Sequence, residues 1–186
     1  MIFNKHSRLV GQHAYLSASK PHWINYDDEK FDRVMLYAMT AARGTELHDY
    51  AFKAIKLKIR QPDDGSTLSM YINDSIDHGL TPEQPLYYSE WAFGTPDAIG
   101  FRQMILRVHD LKNGVNMSSF KQLRVYVALF CLEYEYSPFE ITSLLSIYQN
   151  DEIRDETADP DEIFHIMDRI HYGTRRMNEL RKEIDL

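Results

Sequence analysis

Cysteine is nearly absent from this 186-residue chain, with Cys131 its only representative. One thiol excludes an intrachain disulfide, a thiolate zinc cage and a four-cysteine iron–sulfur cluster. No apolar run approaches the roughly 20 residues that cross a bilayer, so no membrane partner is expected. Acids outnumber bases, 28 Asp and Glu to 21 Lys and Arg, and the formal net charge of −7 argues against a general nucleic-acid coat. It leaves room for an enzyme that holds phosphates on a local basic patch. There is no Gly-x-x-x-x-Gly-Lys-Ser/Thr loop for ATP, no Gly-x-Ser-x-Gly elbow and no metalloprotease spacing among the histidines. Repeats and low-complexity tracts are missing as well. The start, Met1 to Arg8, lacks the basic-then-apolar order of a secretory signal, and a cytoplasmic protein is expected.

What is present reads as one α/β domain over 1–186. Its parts are a helical stretch over about 17–80, a sheet-bearing core over about 85–156 and a last helix over about 160–183. Ser17-Ala18-Ser19 is a candidate cap for a short helix. Apolar spacing predicts a helix over 29–42, broken at Gly44, and a second over 45–59. Ser66 is the expected N-cap of a helix through about Asp77, closed by Gly79. Strands are predicted over 86–91, 94–101 and 104–111, then a helix over 118–134. A hairpin over 141–156 turns at Asn150-Asp151.

The chemistry concentrates around the strand 104–111. Leu106, Val108, Asp110 and Lys112 share one strand face, which begins apolar and ends charged. An antiparallel pairing that turns around 101–104 brings Asp97 to the level of residues 108–110. Two carboxylates then converge beside an ammonium. With the Leu111 backbone carbonyl they suit Mg²⁺ or Mn²⁺, which prefer oxygen ligands. Around them, in chain order, stand Gly-Thr-x-x-His ending at His48, Gly-x-x-Asp ending at Asp97, Asp-x-Lys-x-Gly from Asp110, and Gln-x-x-x-Tyr from Gln122 to Tyr126.

This ordered set resembles the RecB-like branch of the PD-(D/E)xK nuclease superfamily, over roughly Leu16 to Tyr148. In look it is similar to short exonuclease-like proteins of phages and prophages. The resemblance implies a restriction-endonuclease-like core, a mixed β-sheet flanked by helices. It implies metal ligation by His48, Asp97 and Asp110, a catalytic Lys112, and Gln122 and Tyr126 that position substrate or support the metal site. The implied activity is Mg²⁺- or Mn²⁺-dependent hydrolysis of DNA phosphodiesters, as an exonuclease in phage recombination or repair within a bacterial host's cytoplasm. It admits a ring-like homo-oligomer and a recombination partner. Asn113 and Pro96 depart from the family's habits, which favour Thr or Ser and an apolar residue there. Neither departure removes a required group.

Other residues carry two readings. Glu90 is either an extra metal ligand or a support for the ligands, or else a solvated strand residue, and Tyr126 is either functional or packed. Lys53, Lys56, Arg102, Arg107 and Arg124 are candidate phosphate contacts if DNA is the substrate, and otherwise solvated charges. Trp23, Tyr26 and Trp91 are candidate stacking residues, and Cys131 is expected to be a buried small hydrophobe. The alternative function is a catalytically inactive nuclease fold that binds DNA or a protein partner.

Overall fold

The computed structural model describes residues 14–16, 18, 20–114 and 116–184, with the backbone alone at 40, 41 and 43. It contains two compact units, residues 1–45 and 46–186. The capping segment expected around Ser17 and Ser19 lies outside the described residues at both serines.

In the first unit, a 3-10 helix over Pro21–Asn25 precedes the start of helix α1, Asp28–Leu57. Asp27 opens α1 by accepting the Lys30 N–H at 2.8 Å, and it meets the helix's positive end with a carboxylate. The break expected at Gly44 does not occur. An interior glycine costs a helix only about 1 kcal/mol against alanine, and α1 runs on unbroken to Leu57.

The second unit holds the sheet. Helix α2, Thr67–Asp77, begins at Ser66, whose hydroxyl accepts the Ser69 N–H, and is followed by Gly79 in a left-handed conformation. The strands are β1 (Thr81–Pro82), β2 (Leu86–Ser89), β3 (Ala92–Gly94), β4 (Ala98–Arg102), β5 (Ile105–Leu111), β6 (Thr142–Gln149) and β7 (Glu152–Thr157). The predicted strand 94–101 is in fact two. Buried Pro96, which has no N–H to give a ladder, separates β3 from β4, and β2 and β3 form a small sheet of their own. The two-residue β1 was not anticipated.

The main sheet has the order β1-β4-β5-β6-β7. Only β5 and β6 run parallel, and helix α3, Lys121–Tyr134, makes the crossover that a parallel pair requires. Two-residue turns close β4–β5 at Gln103-Met104 and β6–β7 at Asn150-Asp151. All four residues have positive φ, as tight hairpins of this twist demand. Helix α4, Pro160–Ile184, is the last described element. The architecture is therefore α/β, a mixed five-stranded sheet flanked by helices.

Strand alternation divides the core. Leu106 and Val108 of β5 and Leu145 and Ile147 of β6 pack with Leu123 and Val127 of α3 and Ile163 of α4. On the opposite face Leu111 and Tyr148 pack with Tyr71 and Ile72 of α2 and with Ala51, Ala54 and Ile55 of α1. Asp110 belongs to the α3 face and His109 to the α2 face. Among the described residues no helix is long and apolar enough to cross a membrane.

Candidate functional site

Register creates the site. Ala98 pairs with His109 and Ile99 with Val108, so Asp97, one residue before β4, comes level with Asp110 near the end of β5. Asp97 is fixed at both ends. Its backbone carbonyl accepts the Glu83 N–H at 3.0 Å, and its Oδ2 accepts the Leu111 N–H at 2.8 Å. Its Oδ1 lies 3.3 Å from Nδ1 of His48 on α1. That hydrogen bond raises the pKa of His48, against the effect of its burial.

Asp110 is 2% exposed. Its Oδ1 is 3.0 Å from Lys112 Nζ. Its Oδ2 is sealed from solvent without a hydrogen-bond partner, the one side-chain atom in that state among the described residues. Burial first, then the nearby charge of Asp97, push its pKa up to about 6, with Lys112 opposing. Lys112 reaches across to α3, donating to Gln122 Oε1 at 3.1 Å, and Gln122 Nε2 donates to Tyr126 OH at 2.9 Å. The Lys112 N–H donates to the Tyr148 carbonyl at 2.9 Å and anchors the strand end. The result is two linked chains, His48–Asp97–Leu111 and Asp110–Lys112–Gln122–Tyr126, in contact through neighbouring residues of β5.

These residues fit a hard divalent cation. Asp110 keeps a buried lone oxygen where a negative charge is unfavourable without a cation, and Asp97 and the Leu111 carbonyl add oxygen donors of the type Mg²⁺ and Mn²⁺ prefer. Among the described residues no three His, Cys, Asp or Glu side chains already converge as a cation cluster. The ammonium of Lys112 sits on one of the Asp110 oxygens instead.

Several other candidates stand elsewhere. Glu90 is exposed on the β2–β3 hairpin, where both its oxygens accept from Arg181 of α4 at 2.8 Å. Arg124 is clamped between Glu156 of β7, at 2.9 Å to each oxygen, and Glu162 of α4, at 2.6 Å. Its guanidinium is thus already occupied by acids. Arg102 ends β4 beside the turn, roughly 16 Å along the strand from Asp97. Lys53 pairs with Asp49 at 2.6 Å, and Lys56 lies over the Phe52 ring at 5.2 Å. Trp91 donates to Asn178 at 2.9 Å, with Arg181 over its ring. Cys131 is buried in the core, as expected.

The sequence reading passed over a second polar group on the other face of β5. Tyr148 OH donates to Asp74 at 2.9 Å and lies 3.2 Å from Nδ1 of His109, which is 3.3 Å from Ser75 Oγ. The available signal was Arg107 and His109 alternating with apolar residues along the strand predicted over 104–111. No protein-family model, curated protein or solved structure matches the chain.

Proposed function

We propose that the protein is a metal-dependent deoxyribonuclease with a restriction-endonuclease-like core, its site built from His48, Asp97, Asp110, Lys112, Gln122 and Tyr126. The observation that carries this reading is spatial. Six polar residues drawn from α1, β5, α3 and the segment before β4 meet at one strand end.

Hydrolysis of a phosphodiester joins a water oxygen to phosphorus, breaks one P–O ester bond and returns a proton to the departing sugar oxygen. A Mg²⁺ or Mn²⁺ ion held by Asp97, Asp110, His48 and the Leu111 carbonyl would acidify water and neutralise phosphate charge. Lys112 is the chain's own cation at that point. Asp110 and Gln122 fix its ammonium from two sides, so it can steady the attacking water or the charge growing on phosphate without reorganising. Gln122 is oriented in turn by Tyr126, which leaves the Tyr126 hydroxyl proton free for a phosphate or sugar oxygen. Asp97 faces His48 and keeps the two sides of the site together. The preferred version is an exonuclease of phage recombination or repair, which rests on family resemblance.

The test is cleavage of end-labelled linear and covalently closed circular DNA with Mg²⁺, Mn²⁺ or EDTA, alongside Lys112→Ala. Metal-dependent loss of linear DNA alone, abolished by the substitution, supports an exonuclease. Cutting of the circle makes it an endonuclease. Absence of cleavage transfers the reading to a binding module, and cleavage that survives Lys112→Ala assigns the activity to a contaminant.

A further inference from the structure

On the face of the sheet opposite Asp110 lies a cavity of about 450 Å³, bordered by α2, β5, β6 and β7. Its floor follows from register. Arg107 and His109 of β5 point to the α2 side, with Leu144 and Ser146 beside them on β6, then Asp155 and Thr157 on β7. The proposed cleavage chemistry uses none of these residues.

The polar groups here are only half committed. Arg107 is half-buried, and its guanidinium makes no ion pair or hydrogen bond among the described residues. Asp155 accepts from Ser146 Oγ at 2.7 Å with Oδ1, which leaves its second oxygen open. Glu156 is already bound through both oxygens to Arg124. The Tyr148 hydroxyl has a single proton, and it goes to Asp74, so its oxygen can meet the His109 Nδ1 only as an acceptor. Ser75 Oγ lies 3.3 Å from the same Nδ1, so that nitrogen is already occupied by the protein. His109 is 3% exposed and lines the cavity.

The occupant must match this pattern. Arg107 offers a planar fork of donors, while Asp155 offers an acceptor, and Leu144 and Ile153 add apolar wall. A simple anion would satisfy Arg107 but face the open carboxylate oxygens of Asp155 and Asp74. An uncharged heterocycle that carries carbonyl or ring-nitrogen acceptors beside amino or imino donors satisfies both sides. Arginine reading a purine's acceptor edge and a carboxylate accepting from an exocyclic amine are established pairings of this kind. The volume has room for a base with its sugar.

We propose that this cavity binds a nucleobase through Arg107 and Asp155, either as a free nucleoside or as an unpaired base of a strand. The proposal does not depend on the opposite face cleaving DNA.

The experiment is isothermal titration of the wild-type chain in EDTA with guanosine, adenosine, cytidine, inorganic phosphate and a short single-stranded oligonucleotide. Binding of at least one nucleoside or of the strand below about 1 mM is expected. Arg107→Gln and the isosteric Asp155→Asn should each weaken it about tenfold at unchanged melting temperature. Tighter binding of the strand identifies the unpaired base as the ligand, and equal or tighter binding of the nucleoside identifies the free compound. Saturation by inorganic phosphate alone, binding untouched by both substitutions, or no binding by nucleosides and strand overturns the proposal. If either variant melts early, competition between guanosine and the strand on wild-type protein decides. Ligands that share the site displace one another, and a lack of displacement overturns a common base site.

Discussion

Asp97 Oδ2 accepts the backbone N–H of Leu111 at 2.8 Å, tying the residue before one strand to the end of its hairpin partner. This bond separates the structural role of Asp97 from its charge. Asp97→Asn keeps an acceptor oxygen for Leu111 but removes the charge that faces His48 and Asp110. It is expected to stay within about 1 kcal/mol of wild-type stability in urea while losing metal-dependent cleavage. Asp97→Ala should lose a further 1–3 kcal/mol or about that, because the buried amide is left without its partner. Equal stability of the two variants would mean that the hydrogen bond does not hold the hairpin end.

Gly94 lies against the ring of Tyr126. A Cβ built there would sit 2.9 Å from Tyr126 Cε1, closer than packed carbons allow. Gly94→Ala should displace the ring and detach it from Gln122, at a cost of about 1–3 kcal/mol. Tyr126→Phe removes only the hydroxyl and should hold stability within about 1 kcal/mol. Both should slow cleavage by about tenfold or more if Tyr126 orients Gln122. A fully active Tyr126→Phe would assign the ring to packing alone.

Arg124 offers a direct choice between two roles. Its three short hydrogen bonds to Glu156 and Glu162 tie α3 to β7 and α4. Arg124→Ala is therefore expected to destabilise the fold by about 1–3 kcal/mol. The salt dependence of DNA binding should be unchanged, since no phosphate contact is lost. A shallower salt slope at unaltered stability would restore Arg124 to the DNA.

Cys131 is 1% exposed, and burial raises its thiol pKa from 9.0 to about 11. Alkylating reagents should leave it unmodified at pH 8 until the chain is unfolded. The raised value also fixes the sign of a pH effect. The folded state favours the neutral thiol, so its contribution is complete below pH 9 and is lost as pH rises toward about 11. Thermal melts of wild type and Cys131→Ala between pH 8 and 10 should show a steeper alkaline decline for wild type. Parallel declines would place the alkaline sensitivity elsewhere.

Local signals were readable in the sequence, and long-range partners were not. Ser66 and Gly79 mark the ends of α2, and Asn150-Asp151 marks a tight turn, because caps and turns depend on residues within one or two positions. The approach of Asp97 to Asp110 was legible for the same reason, as it follows from one hairpin's register. Gly44 misled because a helix tolerates one glycine when the rest of its length favours it. The Pro96 interruption was overlooked because Gly94 and Ala98 to Phe101 look continuous by composition. Arg124 and Glu90 find their partners 32 and 91 residues away, a separation that spacing does not reveal. The pairing of Arg107 and His109 with β6, and of β6 with β7 beyond it, was hidden likewise, because that face exists only once the parallel strand has docked.

That parallel pairing also orders the assembly of the site in time. The β4–β5 and β6–β7 hairpins close over two-residue turns, whereas β5 and β6 can join only after the intervening 30 or so residues have folded back with α3. Asp97 and Asp110 belong to one hairpin and should meet early during folding. Lys112 meets Gln122 only when α3 docks. Asp97, Asp110 and the Lys112 ammonium thus gather on one hairpin before Gln122 arrives to hold that ammonium from its second side, so charge is assembled at the site before it is positioned.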